Sequence, residues 1–432
     1  MSRSTRRGFV QQSAAVGLGL GLTSGLSKRA FAANDKIRIA CIGVRGRGNG
    51  VMQSFAAEPD CEVTHICDVN KPLREKRGEE MKQRTGRLPE LVNDYRSLLD
   101  NNSADVFMVA TPDHWHAMLT IEGCLAGKDV YVEKPASHNI LEGKTAVAAA
   151  RKRDCMVQMG TQIRSAPFLR DAVEYVEGGG LGKVIFGKAW ETARNGAVHL
   201  AADSAPPPGL DYHIWQGPCP ERPYNKSIVG GSWRWLFDYG TGDLGNDGVH
   251  RIDYCRFLMG LKGMPEAVYC SGGKFFFEDD QEWPDTMLIS YEYPGKIVQY
   301  EMRLWSKPKL FGITEGAAVY GENGWVLLTN SGWKAYDAAG KLVKQGESSS
   351  AVTQQAHIRN FLDAVRSRKR ETLAQEIYSG HVSSSMCHAG NISWRTGKKL
   401  NFDPKTETFD DKEANQYVGR EHRKGFELPN IV

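Results

Sequence analysis

The stretch Val130-Tyr131-Val132-Glu133-Lys134-Pro135 decides the fold, because it is typical of a short buried strand that ends in a charged pair and a proline. Pro135 cannot continue a regular central strand, so Glu133 and Lys134 are expected at the strand's carboxyl end. In open α/β sheets, ligands bind at that end of the parallel strands. Lys134 therefore has two interpretations: a solvated charge at the end of a strand, or a lysine in a partly dry cleft that takes part in proton transfer.

The sequence on both sides of this stretch alternates between strand-like and helix-like segments. Strands are predicted over residues 36–44, 61–69, 91–94 and 104–110 before it, and over 155–160 after it, with helices between them. Strands that alternate with helices favour a parallel sheet with right-handed crossovers. Residues 33–160 are therefore predicted to form an α/β domain with a doubly wound parallel sheet.

A glycine-rich turn, Gly43-Val44-Arg45-Gly46-Arg47-Gly48-Asn49-Gly50, follows the first predicted strand and precedes a helix. This is the context in which a dinucleotide binds, because glycines allow the pyrophosphate to approach the helix amino terminus closely. Gly43 and Gly48 fit the first and third positions of the G-x-G-x-x-G fingerprint. Arg45 stands at the second position, so Gly46 is expected to take over the permissive backbone conformation. Arg45 and Arg47 are candidates for pairing with phosphate.

Asp68 ends the second predicted strand, twenty positions after Gly48. A carboxylate at this point accepts hydrogen bonds from the adenosine ribose hydroxyls. It favours NAD over NADP, because the 2′-phosphate of NADP would be repelled by Asp68. The alternative interpretation of Asp68 is a turn residue or a helix N-cap ahead of Pro72.

Beyond about residue 161 the pattern changes to strand-like segments joined by short turns, which predicts a second α/β domain with a largely antiparallel open sheet over 161–398. An insertion over 193–250 is rich in aromatic residues, including Trp233 beside Arg234. Such rings stack on sugar faces, or they pack the insertion onto the sheet or an oligomer contact. Residues 399–432 are predicted to form an extended tail.

The amino terminus has the layout of a secretory signal. Arg6 and Arg7 precede an apolar run over 14–26, and Ala30-Phe31-Ala32 follows as a cleavage site, so residues 1–32 predict a twin-arginine signal and a periplasmic protein. The alternative is an uncleaved anchor, which the short, Gly-rich and Ser-rich run disfavours.

Removal of the five basic residues of this segment changes the formal net charge from +4 to −1, so nothing favours nucleic-acid binding. The nine cysteines show no CxxC spacing, which fits a protein that folds in the cytoplasm before export.

With these pieces in order, the chain resembles the glucose–fructose oxidoreductase / inositol dehydrogenase / MocA (Gfo/Idh/MocA) family. The matching motifs are the glycine turn, Asp68, Thr111-Pro112 with His116, Glu133-Lys134-Pro135 and residues 242–253. The resemblance implies a Rossmann domain that binds NAD(P), a second domain, and a sugar or polyol bound between them. The twin-arginine start and the motifs around Trp115 and His250 resemble an exported bacterial branch.

The resemblance also implies the catalytic residues. The family's lysine maps onto Lys134, and its Asp-x-x-x-His pair maps onto Asn246 and His250, so the aspartate is replaced here, with Asp247 and Asp253 nearby. His250 titrates near neutrality and suits a general base, while Lys134 stabilises the alkoxide or shares the proton. A histidine that caps a turn is the alternative for His250.

The remaining candidates divide between cofactor and substrate. Thr111, Pro112, His116, Glu133 and Lys134 are predicted to contact the cofactor, and Trp115, Gln162, Arg164, Trp233, Arg234, Asp247 and His250 the substrate. His114 and His116 form an H-x-H pair, but no third ligand stands at a suitable spacing, so no metal is predicted.

The sequence leaves three functions open. The first is an NAD-dependent oxidoreductase that acts on a carbohydrate or glycoside. The second is a glycoside hydrolase that oxidises its substrate transiently with a tightly bound NAD, as some NAD-dependent α-N-acetylgalactosaminidases that resemble this family do. The third is a silent sugar-binding protein, which only Asn246 supports. A homodimer or homotetramer is expected from the open sheet.

Overall fold

The glycine turn and the Glu-Lys-Pro stretch lie on a six-stranded parallel sheet in the computed structural model, which describes residues 35–100, 102–192 and 196–432. The predicted signal over 1–32 lies outside the described residues. Within the described ranges, no helix combines the length and the apolar character that crossing a bilayer requires.

The strands of the first sheet follow the order β3-β2-β1-β4-β5-β6, and every pair is parallel. Their apolar side chains are buried on both faces because helices cover both faces, as a doubly wound sheet requires. The predicted parallel sheet is confirmed. The strands are β1 Ile37–Ile42, β2 Cys61–Cys67, β3 Glu90–Val92, β4 Val106–Val109, β5 Asp129–Val132 and β6 Val157–Met159, and the helices are α1 Gly46–Phe55, α2 Lys71–Thr85, α3 Asp113–Leu125 and α4 Ile140–Lys152.

The second sheet has ten strands in the order β14-β13-β12-β11-β7-β10-β9-β8-β15-β16. Among the described strands of this second sheet, only β7 and β10 pair in parallel, so the predicted largely antiparallel open sheet is confirmed. The strands are β7 Val184–Thr192, β8 Ala267–Gly273, β9 Thr286–Tyr293, β10 Lys296–Arg303, β11 Glu315–Gly321, β12 Gly324–Leu328, β13 Gly332–Asp337, β14 Leu342–Glu347, β15 Leu400–Asp403 and β16 Thr408–Phe409.

The helices of this half are α5 Pro167–Glu177, α6 Tyr212–Gln216, α7 Lys226–Gly230, α8 Val249–Leu258, α9 Ser350–Ser367 and α10 Ile377–Thr396. Helix α10 is buried between the two sheets. A Cβ atom on Gly380 would meet Met159 of β6 at 2.9 Å, and one on Gly390 would meet Ile289 of β9 at 2.8 Å. Because glycine permits these close approaches, α10 fixes one sheet against the other.

Residues 399–432 do not form the extended tail that the sequence predicts. After β15 and β16 the chain turns back, and the buried guanidinium of Arg420 donates to Glu142 Oε1 at 2.7 Å and to the carbonyl oxygen of His114 at 3.0 Å. Phe426 then packs against Trp115, with ring centroids 5.6 Å apart. The prediction failed because these partners lie far away in sequence, where local composition carries no information about them.

Candidate functional site

The glycine turn packs so tightly that two of its positions admit no side chain. Gly43 adopts a left-handed φ of +80°, and a Cβ atom there would lie 2.8 Å from the carbonyl oxygen of Ala110. A Cβ atom on Gly48 would lie only 2.0 Å from the carbonyl oxygen of Gly43, whereas one on Gly46 would meet nothing within 4 Å. The fold therefore requires glycine at positions 43 and 48. It leaves room for a side chain at position 46, where glycine was predicted to replace the missing second glycine of the fingerprint.

The two arginines of the turn already have protein partners. The Nη1 atom of Arg45 donates to the carbonyl oxygen of Val229 in the insertion at 2.8 Å. Arg47 donates through Nε to Oε1 of the buried Glu133 at 2.8 Å, and through Nη2 to Oε1 of Gln354 at 2.8 Å. Both arginines line the same cleft, and their contact with phosphate stays a prediction.

Asp68 follows β2 and lines this cleft. Its carboxylate accepts hydrogen bonds from the backbone N–H groups of Val44 at 3.0 Å and Asn70 at 2.9 Å. Burial raises the pKa of Asp68, while these two backbone donors oppose the rise. The carboxylate thus joins the glycine turn to the loop after β2, and its contact with an adenosine ribose stays a prediction.

The cleft encloses about 370 Å³ between the strand ends and the insertion. Thr111 and Pro112 line it, and the hydroxyl of Thr111 is buried with no hydrogen-bond partner among the described residues. His116 is also at the wall, where its ring nitrogens lie 2.6 Å from the Pro135 carbonyl oxygen and 2.8 Å from that of Thr111. The close glycine turn, Asp68 and an unsatisfied hydroxyl fit a dinucleotide.

Lys134 lies beyond the end of β5, on the same cleft. Its Nζ atom donates to the backbone carbonyl oxygen of Asn246 and to Oδ1 of the same residue at 3.2 Å. Oδ1 of Asp247 lies 3.9 Å from Nζ. The structure thus brings Lys134 together with Asn246, which stands at the position of the family's aspartate, and the carboxylate of Asp247 lies beside them.

His250 lies in the first turn of α8, with 9% of its surface exposed. Burial lowers its pKa well below the usual value, and the cations Lys134 and Arg251 lower it further, whereas Asp247 opposes the decrease. The imidazole is therefore neutral near pH 7 and can accept a proton. His250 and Asp247 are not among the residues that line the cleft, although Asn246 and Lys134, which contact or approach Asp247, are.

Trp233 and Arg234 of the insertion line the cleft. The Arg234 guanidinium lies over the Trp233 ring, 4.7 Å from its centroid, and its Nη1 atom donates to the Gly231 carbonyl oxygen at 2.7 Å. An aromatic ring with an adjacent planar donor suits the apolar face and the hydroxyls of a sugar. These two predicted substrate residues therefore reach the cleft.

Trp115 lines the cleft, and its contact with substrate stays a prediction. Its ring is 5% exposed and packs edge-to-face on Tyr95, with centroids 5.5 Å apart, while Nε1 donates to the Trp215 carbonyl oxygen at 3.0 Å. The neighbouring His114 contacts the same carbonyl oxygen through Nε2 at 2.9 Å, and burial lowers its pKa to about 3. Both side chains join α3 to the insertion, and Trp115 forms part of the wall of the cleft.

Arg164, predicted to contact substrate, is buried elsewhere. Its guanidinium forms a bidentate ion pair with Asp253 of α8, at 2.7 Å and 2.9 Å. Burial alone raises the pKa of the Asp253 carboxyl, but the adjacent Arg164 cation more than offsets this and lowers it to about 2. The pair fixes α8 to the segment after β6. Gln162, the other candidate of this segment, is likewise absent from the residues that line the cleft.

Part of the cleft wall was not predicted. Residues 209–211 bind the loop after β2: the Lys71 N–H donates to the Gly209 carbonyl oxygen at 2.8 Å, and the Asp211 N–H donates to the Val69 carbonyl oxygen at 3.0 Å. Leu210, between them, lines the cleft. We call residues 209–211 and 229–231 the strap. The only sequence signal was the proline run that precedes Gly209, which indicates an extended segment without naming its partner.

A doubly wound parallel sheet with a tight glycine turn, and an acid and a lysine in one cleft, is typical of a nucleotide-dependent oxidoreductase. Residues 37–161 match the family described as "Oxidoreductase family, NAD-binding Rossmann fold", and residues 181–274 and 344–428 match its "C-terminal alpha/beta domain". The chain therefore belongs to the Gfo/Idh/MocA family of oxidoreductases, and it contains the family's NAD-binding domain.

Curated relatives match over shorter segments. A "Glycosyl hydrolase family 109 protein" of Solibacter usitatus is 28% identical over 170 residues, which cover 36% of this chain and 39% of that protein. Levoglucosan dehydrogenase of Pseudarthrobacter phenanthrenivorans is 28% identical over 176 residues, which cover 41% of this chain and 38% of that enzyme. The chain thus aligns with about two fifths of the length of these relatives.

Solved structures share the fold along most of the chain. Levoglucosan dehydrogenase in complex with NADH and levoglucosan gives a TM-score of 0.66 at 18% identity, covering 85% of this chain and 99% of that chain. The WlbA dehydrogenase of Bordetella pertussis in complex with NADH and UDP-GlcNAcA gives a TM-score of 0.64 at 18% identity, covering 86% and 99%. At this identity the likeness establishes the fold.

Proposed function

We propose that this protein is an NAD-dependent oxidoreductase that transfers a hydride between a secondary alcohol of a carbohydrate or glycoside and nicotinamide. The observation that carries the proposal is the position of Lys134. Its Nζ atom lies in the cleft of the glycine turn and Asp68, held by Asn246, with Asp247 at 3.9 Å. A cation there stabilises the negative charge that develops on the substrate oxygen as the hydride leaves carbon.

The protein groups divide the chemistry between them. Bound NAD supplies the hydride acceptor. Trp233 and Arg234 orient the sugar from the insertion side, Lys134 stabilises the alkoxide, and the neutral His250 receives the hydroxyl proton. Levoglucosan dehydrogenase, a relative over part of the chain, supports a carbohydrate as the substrate class.

The experiment is a dehydrogenase assay on a panel of sugars, polyols and aryl glycosides, with NADH absorbance as the readout. Lys134→Ala is expected to lower kcat by about 100-fold or more on every active substrate, since it removes charge stabilisation in the transition state. Lys309→Ala is the matched control, because that lysine is an exposed residue outside the cleft. Unchanged turnover in Lys134→Ala would show the mechanism to be wrong.

A second candidate is a glycoside hydrolase that oxidises, eliminates and reduces again with one retained NAD. The observation that favours it is the strap, which binds the loop after β2 and, through the Val229 carbonyl oxygen, Arg45. A covered cofactor suits a reaction that returns it to its starting oxidation state. Release of aglycone from aryl glycosides without added NAD, and without accumulated NADH, would support this candidate. Net NADH formation equal to substrate consumed would support the dehydrogenase.

NAD rather than NADP is proposed as the cofactor. Asp68 presents its carboxylate to the cleft, where a 2′-phosphate would add a second negative charge beside it. Titration of the cofactor-free protein with NAD and NADP checks this preference, and tighter binding of NADP would refute it.

Export through the twin-arginine pathway is proposed from Arg6, Arg7 and the Ala30-Phe31-Ala32 site alone. Fractionation of a producing bacterium, with amino-terminal sequencing of the periplasmic form, tests it. A mature chain that starts at Ala33 is expected, and substitution of both arginines by lysine is expected to abolish export.

Self-association is proposed for the open face of the ten-stranded sheet. By strand register Tyr269, Leu288 and Ile297 lie on one face, and each is more than two fifths exposed. A face of this kind, with apolar side chains among charged ones, is typical of an interface between copies. Light scattering of the purified protein is expected to give a dimer or tetramer, and Leu288→Arg to weaken it.

A further inference from the structure

A π-helical turn over Leu244–Gly248 leads directly into α8. Such turns are rare, and they occur frequently at functional sites because the wider turn inserts one residue and changes the direction of its neighbours. Here the turn carries Asn246 at the family's aspartate position and Asp247 immediately after it. Both side chains approach Lys134.

The side chain of Asn246 connects Lys134 to Asp247 through two hydrogen bonds. Its Oδ1 atom accepts a hydrogen bond from Lys134 Nζ at 3.2 Å, and its Nδ2 atom donates to Oδ2 of Asp247 at 3.0 Å. The other carboxylate oxygen, Oδ1 of Asp247, lies 3.9 Å from Nζ. A carboxylate at position 246 has no donor and could not hold Asp247 in this way. The amide therefore fixes both the lysine and the acid.

His250 lies within the electrostatic reach of both charges. Burial and the Lys134 cation disfavour protonation of its imidazole, whereas Asp247 favours it. A base in such a site can accept the hydroxyl proton only if an anion compensates the imidazolium charge that forms. Among the charged groups with the largest effect on the pKa of His250, which are Lys134, Arg251, Asp247 and Arg47, Asp247 is the anion.

We infer that Asp247, carried by the π-helical turn, is the carboxylate of the proton relay, and that Asn246 is the positioning residue that holds it beside Lys134. The inference rests on the proposed function. During oxidation the carbinol C–H bond breaks and its electron pair passes to nicotinamide C4. The O–H bond breaks, its proton passes to His250, and a C=O bond forms. Asp247 stabilises the resulting imidazolium, and the reverse step returns the proton.

Other charged and titratable groups surround Asp247, and they set the electrostatic background of this relay. Its carboxylate lies within 4.8 Å of those of Glu191 and Asp243. The charged and titratable groups around this region are Lys134 after β5, Arg47 on α1, Glu191 on β7, Asp243 before the π turn, His250, Arg251 and Tyr254 on α8, Tyr300 on β10, and Glu315 on β11 through its ion pair with Arg251.

The test compares Asp247→Asn and Asn246→Ala with the control Asp238→Asn, an exposed acid of the same insertion. Asp247→Asn is expected to lower kcat by about 100-fold, within the contribution of acid–base groups. The Michaelis constant, the NAD affinity and the melting temperature are expected to stay near wild type. The acidic limb of kcat against pH should move to lower pH, because His250 loses the anion that favours its protonation.

Asn246→Ala is expected to lower kcat about tenfold and to leave the acidic limb in place, since it changes position but not charge. Asp238→Asn should match wild type in every measurement. If Asp247→Asn kept kcat within threefold of wild type, or lost activity with an unmoved acidic limb, the inference would be overturned.

A second measurement needs no turnover and separates this inference from the proposed function. Histidine resonances are titrated by NMR in the NAD-bound wild type and in Asp247→Asn, with His250→Gln for assignment. His250 is expected to titrate at lower pH in Asp247→Asn than in wild type. Equal behaviour of the two proteins down to the pH of unfolding would overturn the relay, even if sugar oxidation were demonstrated. A wild type that oxidises no carbohydrate would overturn the proposed function instead.

Discussion

The substitution Gly48→Ala tests the glycine turn most directly. A Cβ atom at this position would lie 2.0 Å from the Gly43 carbonyl oxygen, whereas Cβ atoms essentially never approach a heavy atom closer than 3.0 Å. The neighbour is backbone and not a flexible side chain, so the turn and the start of α1 must separate by at least about 1 Å.

This displacement moves the backbone N–H groups that hold a pyrophosphate at a helix amino terminus. Hydrogen bonds to a charged group contribute about 1.5–3 kcal/mol each, so misplacement of two of them costs at least about 3 kcal/mol. The dissociation constant for NAD is therefore expected to rise by about 100-fold or more. Overpacking lowers the free energy of unfolding by a further ~1–3 kcal/mol.

Gly50 provides the matched control for NAD binding and Gly46 a control for stability alone, because a Cβ atom on either residue would meet nothing within 4 Å. Gly50→Ala is expected to bind NAD normally and to stabilise α1 by up to ~1 kcal/mol. Gly46 lines the cleft, so Gly46→Ala is expected to keep its melting temperature and to weaken NAD binding.

The assay is a titration with NADH that follows energy transfer from tryptophan, since Trp115 and Trp233 line the cleft, together with calorimetric melting. If Gly48→Ala bound NADH within threefold of wild type, the turn would not hold the cofactor. The same conclusion would follow if Gly50→Ala lost as much affinity as Gly48→Ala.

Three further predictions use other parts of the structure. Asp68→Ala is expected to raise the Kd for NAD about tenfold or more and to narrow the preference over NADP, as measured by titration with both cofactors. Arg164→Ala is expected to lower the free energy of unfolding by about 3 kcal/mol at pH 7 with little change in the Michaelis constant, because it leaves the buried Asp253 with only the more distant Arg256, at 3.7 Å, as a counter-charge. In wild type the pKa of Asp253 is lowered to about 2, so the stability that its ionised form provides is complete above about pH 4 and is lost toward pH 2. The free energy of unfolding of wild type and Arg164→Ala is measured by urea denaturation at pH 7 and pH 3. The difference between the two proteins should be smaller at pH 3. Arg420→Ala is expected to release the carboxyl-terminal segment from Glu142, and limited proteolysis should then cleave this segment much faster than in wild type.

The sequence predicted those parts of the molecule whose causes are local. The apolar run of β1, the glycine turn and the acid after β2 lie close together in the sequence, and their order and spacing predict a dinucleotide-binding fold. Helix α5 follows from its strong amphipathic pattern after Pro167. Strand β14 was missed because its exposed, polar-rich segment lacks the alternation of a half-buried strand, whereas β13 was missed although Trp333 and Ala335 alternate with the exposed Lys334.

The site residues were predicted less well, because the direction of a side chain depends on distant partners. Arg164 follows β6 at the ligand-binding edge, but Asp253, 89 residues away in sequence, draws its guanidinium into the interior. The π turn before α8 leaves no periodic signal, since Gly242, Gly245 and Gly248 interrupt any pattern. Asp247 was consequently assigned to substrate, although its carboxylate faces Lys134.

The strap connects the fold to the choice between the two proposed reactions. Departure of a nucleotide from the cleft requires the hydrogen bonds of Lys71 with Gly209, Asp211 with Val69 and Arg45 with Val229 to open. At about 1 kcal/mol for each bond, opening costs roughly 3 kcal/mol, which slows exchange by about 100-fold relative to an uncovered cleft.

If a catalytic cycle consumed one NAD, this step would limit kcat, and Arg45→Ala would raise kcat. If the cofactor is restored within each cycle, Arg45→Ala would speed cofactor loss and leave the first turnover unchanged. Measurement of turnover and cofactor exchange in the same variant therefore distinguishes net oxidation from redox-assisted hydrolysis.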